Sequence, residues 1–255
     1  MPTIDKSLRK NELQYHIDLK PGDVGEYILL PGDPARVEIF ANFVENPRKV
    51  AYKREYQTYT GTYKGITVSC TSTGIGCPST AIAVEELANI GARTFIRIGS
   101  CAGLADEVHP RDIIIATGSM RNEGTTSFYA PMALPAVPDF FLTQALILAA
   151  EEMKREQGIP YHVGLSGADD AFYGESPEFI KKLHDLGLKG VEMESAAIFI
   201  ITHLKGLRGA CLCSVAANSY TGELLDPEVE KDLPSRFNSI IQIALEAIYR
   251  IHNNR

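Results

Sequence analysis

The chain has 255 residues, of which 45% are hydrophobic, and it carries a formal net charge of −7. This length and composition favour a single domain over residues 1–255 with a substantial core. The acidic balance disfavours a nucleic-acid or membrane-surface binder, because such proteins present a basic face, and no apolar run is long enough to span a bilayer.

Predicted strands alternate with predicted helices along the chain. Buried apolar runs predict strands at Glu26–Leu30, Ile66–Thr71, Thr94–Ile98, Asp112–Ala116, Tyr161–Ser166 and Gly209–Val215. Helical spacing predicts helices at Pro34–Phe43, Pro78–Ile90, Phe140–Glu156, Pro177–Leu186, Met193–Lys205 and Arg236–His252. This alternation predicts an α/β fold with a largely parallel sheet that is covered on both faces.

Four small or polar residues lie just beyond predicted strands. They are Gly32, Gly74, Gly99 and Asn218. Ligands of such sheets bind beyond the carboxyl ends of the strands, so we expect these residues to converge on one site.

Signals of cellular location and of metal binding are weak. The start of the chain, Met1–Lys6, lacks the apolar core of a signal peptide. The five cysteines are odd in number and scattered, which favours buried, reduced thiols in a cytoplasmic protein over disulfides or a zinc site.

Three arginines lie beside small or glycine-rich residues, in a chain without a long basic run. Arg36 follows the turn Pro31–Pro34, Arg97 precedes Gly99 and Ser100, and Arg54 is the third. One guanidinium group can donate two parallel hydrogen bonds to phosphate oxygens, and glycine lets main-chain N–H groups approach an anion. A plain turn explains the first segment equally well, and an internal salt bridge would satisfy Arg97. No phosphate-loop or dinucleotide fingerprint is present.

An acidic pair and an aromatic pair add to this pattern. Glu192 and Glu194 suit the vicinal hydroxyls of a ribose, although acidic residues at the start of a helix are common for other reasons. Phe172 and Tyr173 suit stacking on a planar base, although such aromatics also occur in cores. The arrangement indicates phosphate at one end of a site and a sugar at the other.

Together these segments resemble the nucleoside phosphorylase-I family, and most closely its uridine phosphorylases, from about Leu13 to Ile251. The resemblance implies a single-domain, three-layer α/β/α fold with a mixed, largely parallel central sheet. The segments that carry it are Leu13–His16, Pro21–Gly25, Pro31–Pro34, Arg54–Tyr56, Ser72–Ser79, Val84–Leu87, Arg97–Ser100, Phe128–Pro131, Phe172–Tyr173 and Val191–Ser195.

The resemblance also implies roles for individual residues. Phosphate would be bound by Gly32, Arg36, Arg97 and Ser100, with Arg54 reaching in from a neighbouring subunit. The ribose would be held by Met193 and Glu194 with Glu192 close by, and by His16 from the neighbour. Phe172 would line the base pocket, and Arg97 and Glu194 would be the catalytic pair. Glu55 and Ser79 match positions that hold a monovalent cation such as K⁺ between subunits in some relatives.

The same resemblance implies an activity and an assembly. Phosphate attacks the anomeric carbon of a nucleoside, which releases the base and leaves a pentose 1-phosphate. Inorganic phosphate is then a co-substrate and no cofactor is required. We expect a cytoplasmic homohexamer, a trimer of dimers with shared sites, and no nucleic-acid or membrane partner.

The sequence departs from two known base pockets. Uridine phosphorylases carry a Gln and an Arg shortly after the Phe-Tyr pair, and neither occurs between Phe172 and Phe179. The segment before Val191 is short, as in bacterial purine nucleoside phosphorylases, but those enzymes carry an Asp where this chain has Ala217. The sequence therefore does not decide whether Glu175, Glu178 or Asn218 contacts the base. Asn218 is similar to the residue that the uridine phosphorylases carry at this position.

These features leave three functions. The first is phosphorolysis of uridine in pyrimidine salvage, and the second is a purine or broad-specificity nucleoside phosphorylase. The third is a non-catalytic protein that binds nucleosides or phosphate. The three arginines, together with the missing acid, favour phosphorolysis over the hydrolysis catalysed by related nucleoside hydrolases.

Overall fold

The computed structural model describes residues 12–224 and 233–254, with the backbone alone for 233–236. The start of the chain, on which the expected lack of a signal peptide depends, lies outside these residues. Within the described ranges, no helix is long and apolar enough to cross a membrane.

Nine strands and six α-helices make up the described chain, with three short 3-10 segments, Ala41–Phe43, Thr125–Phe128 and Phe172–Gly174. The strands are β1 (Tyr27–Leu30), β2 (Glu45–Lys53), β3 (Tyr56–Tyr63), β4 (Ile66–Thr71), β5 (Thr94–Gly103), β6 (Ile113–Asn122), β7 (Tyr161–Asp169), β8 (Gly190–Glu192) and β9 (Arg208–Asn218). The helices are α1 (Pro34–Phe40), α2 (Cys77–Asn89), α3 (Phe140–Gln157), α4 (Pro177–Asp185), α5 (Ser195–Leu204) and α6 (Leu233–Asn253).

The strands form one mixed sheet in the order β2-β3-β4-β1-β5-β8-β7-β6-β9. Parallel pairing joins β4, β1 and β5, and joins β6, β7 and β8. Strand β9 pairs in parallel with β5 and antiparallel with β6, so that five strands close into a ring. The closure brings β5, β8 and β9 around one point, and the candidate site lies there.

Two apolar cores confirm the predicted three layers. One core packs α2 and α5 against one face of the sheet, and the other packs α1, α3 and α6 against the opposite face. Neighbouring residues of β5 alternate between the two, with Phe95 in the first core and Ile96 in the second. This alternation is the pattern of a strand buried on both faces, and it explains why the strand is apolar throughout.

Capping residues determine where several helices begin. Asp33 Oδ1 accepts a hydrogen bond from the Ala35 N–H at 2.9 Å, and Ser176 Oγ accepts one from the Phe179 N–H at 3.2 Å. A proline follows each of these caps at the first helical position, where its missing N–H has no partner to lose. The predicted starts at Pro34 and Pro177 are therefore confirmed.

The structure corrects the predicted elements in three places. The hairpin of β2 and β3 was not predicted, because β2 is largely exposed and lacks an apolar alternation. Strand β5 runs on to Gly103 and β9 runs on to Asn218, so Gly99 lies inside its strand and Asn218 is the last residue of its strand, and neither lies beyond a strand end. Helix α5 begins at Ser195, so Glu192 ends a short strand instead of opening a helix.

All five cysteines are unpaired and buried, as the sequence predicts. Cys211 and Cys213 lie on β9 with their sulfur atoms 3.8 Å apart. Among the described residues, no group of three or more His, Cys, Asp or Glu side chains is placed to hold a metal ion.

Candidate active site

Three charged side chains are buried together where β5 meets the end of β8. Arg97, Glu192 and Glu194 are each no more than 5% exposed. Arg97 Nε donates to Glu192 Oε2 at 2.6 Å, and Arg97 Nη2 is paired with Glu194 Oε2. The internal salt bridge considered for Arg97 therefore exists, and it joins the two carboxylates that were predicted to bind the sugar.

Glu192 is bound by the protein at both carboxylate oxygens. Its Oε2 accepts the N–H groups of Glu194 at 2.9 Å and Ser195 at 3.0 Å, and the Ser195 hydroxyl donates to Oε1. These donors stand at the start of α5, where main-chain N–H groups favour an anion. Burial nevertheless raises the pKa of Glu192, and the charge of Arg97 opposes this rise. Glu192 thus supports Arg97 and α5, and its predicted contact with ribose stays a prediction.

Glu194 lies between a main-chain amide and the guanidinium. The Gly76 N–H donates to Glu194 Oε1 at 2.6 Å, while Oε2 is paired with Arg97. A carboxylate has about four acceptor positions, so Glu194 keeps capacity for two hydroxyl donors. The neighbouring Met193 is half-buried. Glu194 therefore has acceptor capacity to spare, and the predicted binding of ribose by Glu194 and Met193 stays a prediction.

One nitrogen of Arg97 is left without a partner. Within the part of the chain that the structure describes, Nη1 is buried and makes no hydrogen bond. A buried donor without an acceptor costs about 1–3 kcal/mol. A ligand oxygen in this position would remove that cost.

Glycine is required in the loop that supplies the amide to Glu194. Gly74 and Gly76 have φ angles of +71° and +94°, a region that other residues rarely adopt. A Cβ on Gly74 would also lie 2.8 Å from Glu55 Cγ. The sequence segment Gly74–Gly76 was noted for the resemblance, but its role in holding Glu194 was not predicted.

Gly99 is required for a different reason, which is the space that the Arg97 side chain occupies. A Cβ on Gly99 would lie 2.6 Å from both Cζ and Nη2 of Arg97, and the guanidinium is held in place by Glu192 and Glu194. We expect Gly99→Ala to lower the free energy of unfolding by about 1–3 kcal/mol, the usual cost of overpacking. Urea denaturation measures this change.

A matched substitution elsewhere controls for the loss of a glycine. A Cβ on Gly124 would make an ordinary contact of 3.6 Å with Asp170 Oδ2, so Gly124→Ala is expected to change stability by less than about 0.5 kcal/mol. Equal effects of the two substitutions would contradict the packing role of Gly99.

The structure brings two of the predicted phosphate-binding side chains together. Arg36 Nη2 lies 3.5 Å from Ser100 Oγ, and the guanidinium carbon of Arg36 lies 3.9 Å from the centre of the Phe237 ring. Gly32 is joined to the loop after β4, since its carbonyl accepts the Gly74 N–H at 2.9 Å. Gly32 and Arg36 thus follow β1, whereas Ser100 lies inside β5, and phosphate binding by the three stays a prediction.

The residues expected to serve a neighbouring subunit lie on the surface of this chain. Arg54 is exposed at the tip of the β2–β3 hairpin with a φ of +56°. His16 Nδ1 lies 2.6 Å from Glu86 Oε1, and the His16 and Ile17 N–H groups donate to Glu86 Oε2. Both positions suit contact with a second copy, and their roles there stay predictions.

The two residues predicted to hold a monovalent cation are close together. The position of a Gly74 Cβ would be 2.8 Å from Glu55 Cγ and 3.4 Å from Ser79 Oγ. Ser79 Oγ donates to the carbonyl oxygens of Ile75 at 3.1 Å and Gly76 at 3.2 Å. Carboxylate, hydroxyl and carbonyl oxygens are ligands that hard cations accept.

The candidates for base contact differ in their surroundings. Phe172 is 62% exposed in the 3-10 segment after β7, and its ring meets Tyr173 edge to face. Asn218 is 1% exposed, and its amide nitrogen donates to the carbonyls of Ala105 and Val108, both at 2.8 Å. Its carbonyl oxygen accepts from the N–H groups of residues 220 and 221. Asn218 therefore organises two loops with its whole side chain, and its predicted contact with a base gains no support.

Arg121 was not singled out from the sequence, yet it holds the loop after β6. Its nitrogens donate to Thr126 Oγ1 and to the carbonyl oxygens of residues 126, 130, 131 and 134. The sequence signal that could have identified Arg121 is a single arginine at the end of an apolar strand. This loop carries Phe128–Pro131, one of the segments on which the resemblance depends.

Known sequences match the chain over most of its length. The pattern of the Phosphorylase superfamily matches residues 26–249. A uridine phosphorylase of Thermococcus kodakarensis is 45% identical over 83% of this chain and 79% of its own length. A guanosine phosphorylase of Halorubrum lacusprofundi is 38% identical over 91% of this chain and 95% of its own.

A solved structure agrees with these relatives. The uridine phosphorylase of Vibrio fischeri superposes with a TM-score of 0.85 at 31% sequence identity, covering 93% of this chain and 97% of that one. Such agreement over nearly the full length of both chains supports the fold described above.

Proposed function

Because the chain belongs to the Phosphorylase superfamily, we propose that it is a nucleoside phosphorylase, a pentosyltransferase that converts uridine and phosphate to uracil and ribose 1-phosphate. The observation that carries the proposal is the buried Arg97 between Glu192 and Glu194, with one nitrogen free for a ligand oxygen. Residues 1–255 act as one domain in this proposal.

Glu194 binds the sugar in this mechanism. Its carboxylate accepts hydrogen bonds from the 2′ and 3′ hydroxyls of the ribose, next to Met193. Arg97 and the Gly76 N–H hold the carboxylate in position. Charge-assisted hydrogen bonds of this kind are strong and directional. They fix the ring so that the anomeric carbon faces the phosphate, which supplies proximity.

Phosphate is the nucleophile. Arg36, Ser100 and the Gly32 N–H bind its oxygens, and Arg97 Nη1 donates to an oxygen on the ribose side. A phosphate oxygen forms a bond to C1′ while the N-glycosidic bond breaks, and the electron pair of that bond stays on the base, which takes up a proton. The anionic phosphate stabilises the positive charge that develops on the sugar.

A purine nucleoside is the second candidate substrate. The guanosine phosphorylase relative favours it, as does the short segment before Val191, whereas Ala217 in place of an acid disfavours it. A non-catalytic protein that binds nucleosides or phosphate is the third candidate. The arrangement of Arg36, Arg97 and Glu194 makes it the weakest of the three, because binding alone does not require a buried bridge between carboxylates.

We further propose a homohexamer built from dimers, in the cytoplasm, acting in pyrimidine salvage. Arg54 and His16 lie at the surface of the chain, where they reach the phosphate and the ribose of a neighbouring subunit. Glu55 and Ser79 would bind K⁺ at this interface, with no other metal and no organic cofactor in the reaction.

Release of free base with and without phosphate tests the proposal. The purified protein is incubated with uridine, thymidine, inosine, guanosine and adenosine, and the free base is measured by chromatography. We expect release from uridine that depends on phosphate. Release from purine nucleosides alone would favour the second candidate, and release that is independent of phosphate would show a hydrolase. Ligand-induced thermal stabilisation without release would leave a binding protein.

A further inference from the structure

The structure distinguishes between the three residues that the sequence left open for contact with the base. Asn218 uses its whole amide to hold two loops. Glu178 is exposed in the first turn of α4, where hydrogen bonds from its own main-chain N–H and then from Ser176 lower the pKa of its carboxyl. Both side chains are therefore occupied away from a ligand.

Glu175 is different, because its carboxyl is half-buried and unpaired. Within residues 12–224 and 233–254, no hydrogen bond or ion pair of its side chain is found. Burial raises the pKa of Glu175, and the nearby charge of Asp169 raises it further. Among the side chains that the structure describes, no positive group offsets this cost, which is unusual for a carboxylate removed from water.

Glu175 also lies at the edge of the sheet from which Glu194 leaves β8. It ends the 3-10 turn that begins at Phe172, just after Asp169 closes β7. The preceding residue of β7, Ala168, is paired in register with Glu192 on β8, and Glu194 follows two residues later. Strands β7 and β8 run parallel, so the segment from Phe172 to Glu175 and the segment that carries Glu194 leave the same edge of the sheet, within reach of one bound nucleoside.

An ionised carboxylate only accepts hydrogen bonds, so its missing partner is a donor. Uracil carries an N–H on its Watson–Crick edge at N3, and hypoxanthine and guanine carry one at N1. Cytosine and adenine have a bare ring nitrogen at the same place, whose lone pair would repel a carboxylate. The first two candidate substrates thus share the feature that Glu175 requires.

We propose that Glu175 accepts the ring N–H on the Watson–Crick edge of the base, so that the site takes uracil, hypoxanthine or guanine nucleosides and rejects cytidine and adenosine. This inference rests on the proposed function of the same site. It gives one carboxylate the task that the resemblance assigns to a Gln and an Arg, neither of which this chain has in the segment after Phe172.

Equilibrium binding without phosphate tests the inference apart from catalysis. The probes are uridine with 3-methyluridine and inosine with 1-methylinosine, since each methyl group replaces only the N–H. We expect wild-type protein to bind the better parent nucleoside about 10–100-fold more tightly than its methyl analogue, as for loss of a hydrogen bond to a charged group.

Two substitutions at position 175 separate charge from shape. Glu175→Ala is expected to weaken binding of the parent by about 10–100-fold and to bring parent and analogue within about threefold of each other. Glu175→Gln keeps the size and one acceptor oxygen, so it is expected to fall between the two. Glu178→Gln is the matched control at the exposed neighbour and is expected to bind as wild type does.

A merely structural role for Glu175 predicts other results. We expect Glu175→Ala to unfold at the same temperature as wild type or higher, because it removes a half-buried, unpaired charge. Discrimination against the methyl analogue that persists in Glu175→Ala would overturn the inference, as would failure of the wild type to bind either parent nucleoside.

The same proteins separate this inference from the proposed function. Binding that depends on Glu175, without base release when phosphate is added, would refute phosphorolysis and leave the inference standing. Phosphate-dependent release of the base, with the same selectivity between nucleosides in Glu175→Ala as in wild type, would support phosphorolysis and refute the inference.

Discussion

Replacing Arg97 by alanine is expected to lower kcat/KM for phosphorolysis by about 10³-fold, the upper range for loss of a donor that acts on charge in a transition state. The substitution removes the donor aimed at a ligand and the cation that positions Glu194. Steady-state kinetics with uridine and phosphate measure the effect. A folded Arg97→Ala protein with nearly normal kcat/KM would refute the role of Arg97.

The same substitution is expected to destabilise the fold. Two carboxylates that are each at most 5% exposed would lose their shared cation, and breaking a buried pair in this way costs about 3–5 kcal/mol. Arg97→Lys serves as the second variant, since it keeps a positive charge between Glu192 and Glu194 but lacks the planar fork. We expect it to recover stability in part while activity stays low.

The loss of stability should also depend on pH. Burial raises the folded-state pKa of Glu192, so its contribution is fully present below the ordinary carboxyl pKa of about 4.3 and is lost as pH rises through the folded-state pKa. Arg97 holds that pKa down, and its removal extends the loss to higher pH. The stability gap between wild type and Arg97→Ala is therefore expected to stay nearly constant up to the folded-state pKa of Glu192 in wild type, about 7, and to widen as pH rises above it. Urea denaturation at several pH values measures this, and a constant gap would contradict it.

Glu194→Gln is expected to lower kcat by about 10²–10³-fold while KM for phosphate changes by less than about threefold. The amide keeps an acceptor for the Gly76 N–H. It loses the charge that faces Arg97 and the capacity to accept hydrogen bonds from two hydroxyls. Kinetics at varied phosphate and varied nucleoside separate the two constants. Glu178→Gln, at an exposed position, is the matched control and should leave kcat unchanged.

If Glu194→Gln changes only the affinity for phosphate, the assignment of Glu194 to the ribose is wrong. A second check is the response to 2′-deoxyuridine. If Glu194 accepts a hydrogen bond from the 2′-hydroxyl, the ratio of kcat/KM for uridine to that for deoxyuridine should be smaller in the variant than in wild type.

The buried bridge explains how one strand serves two parts of the reaction. Side chains alternate along β5, so Arg97 and Gly99 face α2 and α5, while Ser100 points to the opposite face, where Arg36 lies. Arg97 can then hold the sugar-binding carboxylate from one side while Ser100 and Arg36 hold an anion from the other. The absence of a side chain on Gly99 leaves the space that the guanidinium occupies.

Much of the architecture could be predicted from local pattern. Strand β4 was predicted with its observed bounds, and the starts of α1 and α4 follow from a capping residue with proline after it. These features depend on neighbours in sequence, which is why the sequence reveals them. The hairpin of β2 and β3 was missed because β2 is mostly exposed, and a strand without a buried face carries no apolar alternation.

Residue types and short-range periodicity are enough to predict the α/β class, the arginines and acids of the site, and the glycines beside them. Which of these groups meet depends on the tertiary structure. Arg97 finds Glu192 across 95 residues of chain, and β9 closes the ring against both β5 and β6. Glu175 is half-buried, whereas Glu178 is exposed. The reason is physical: the partner and the solvation of a charged side chain depend on long-range packing, which no local pattern encodes.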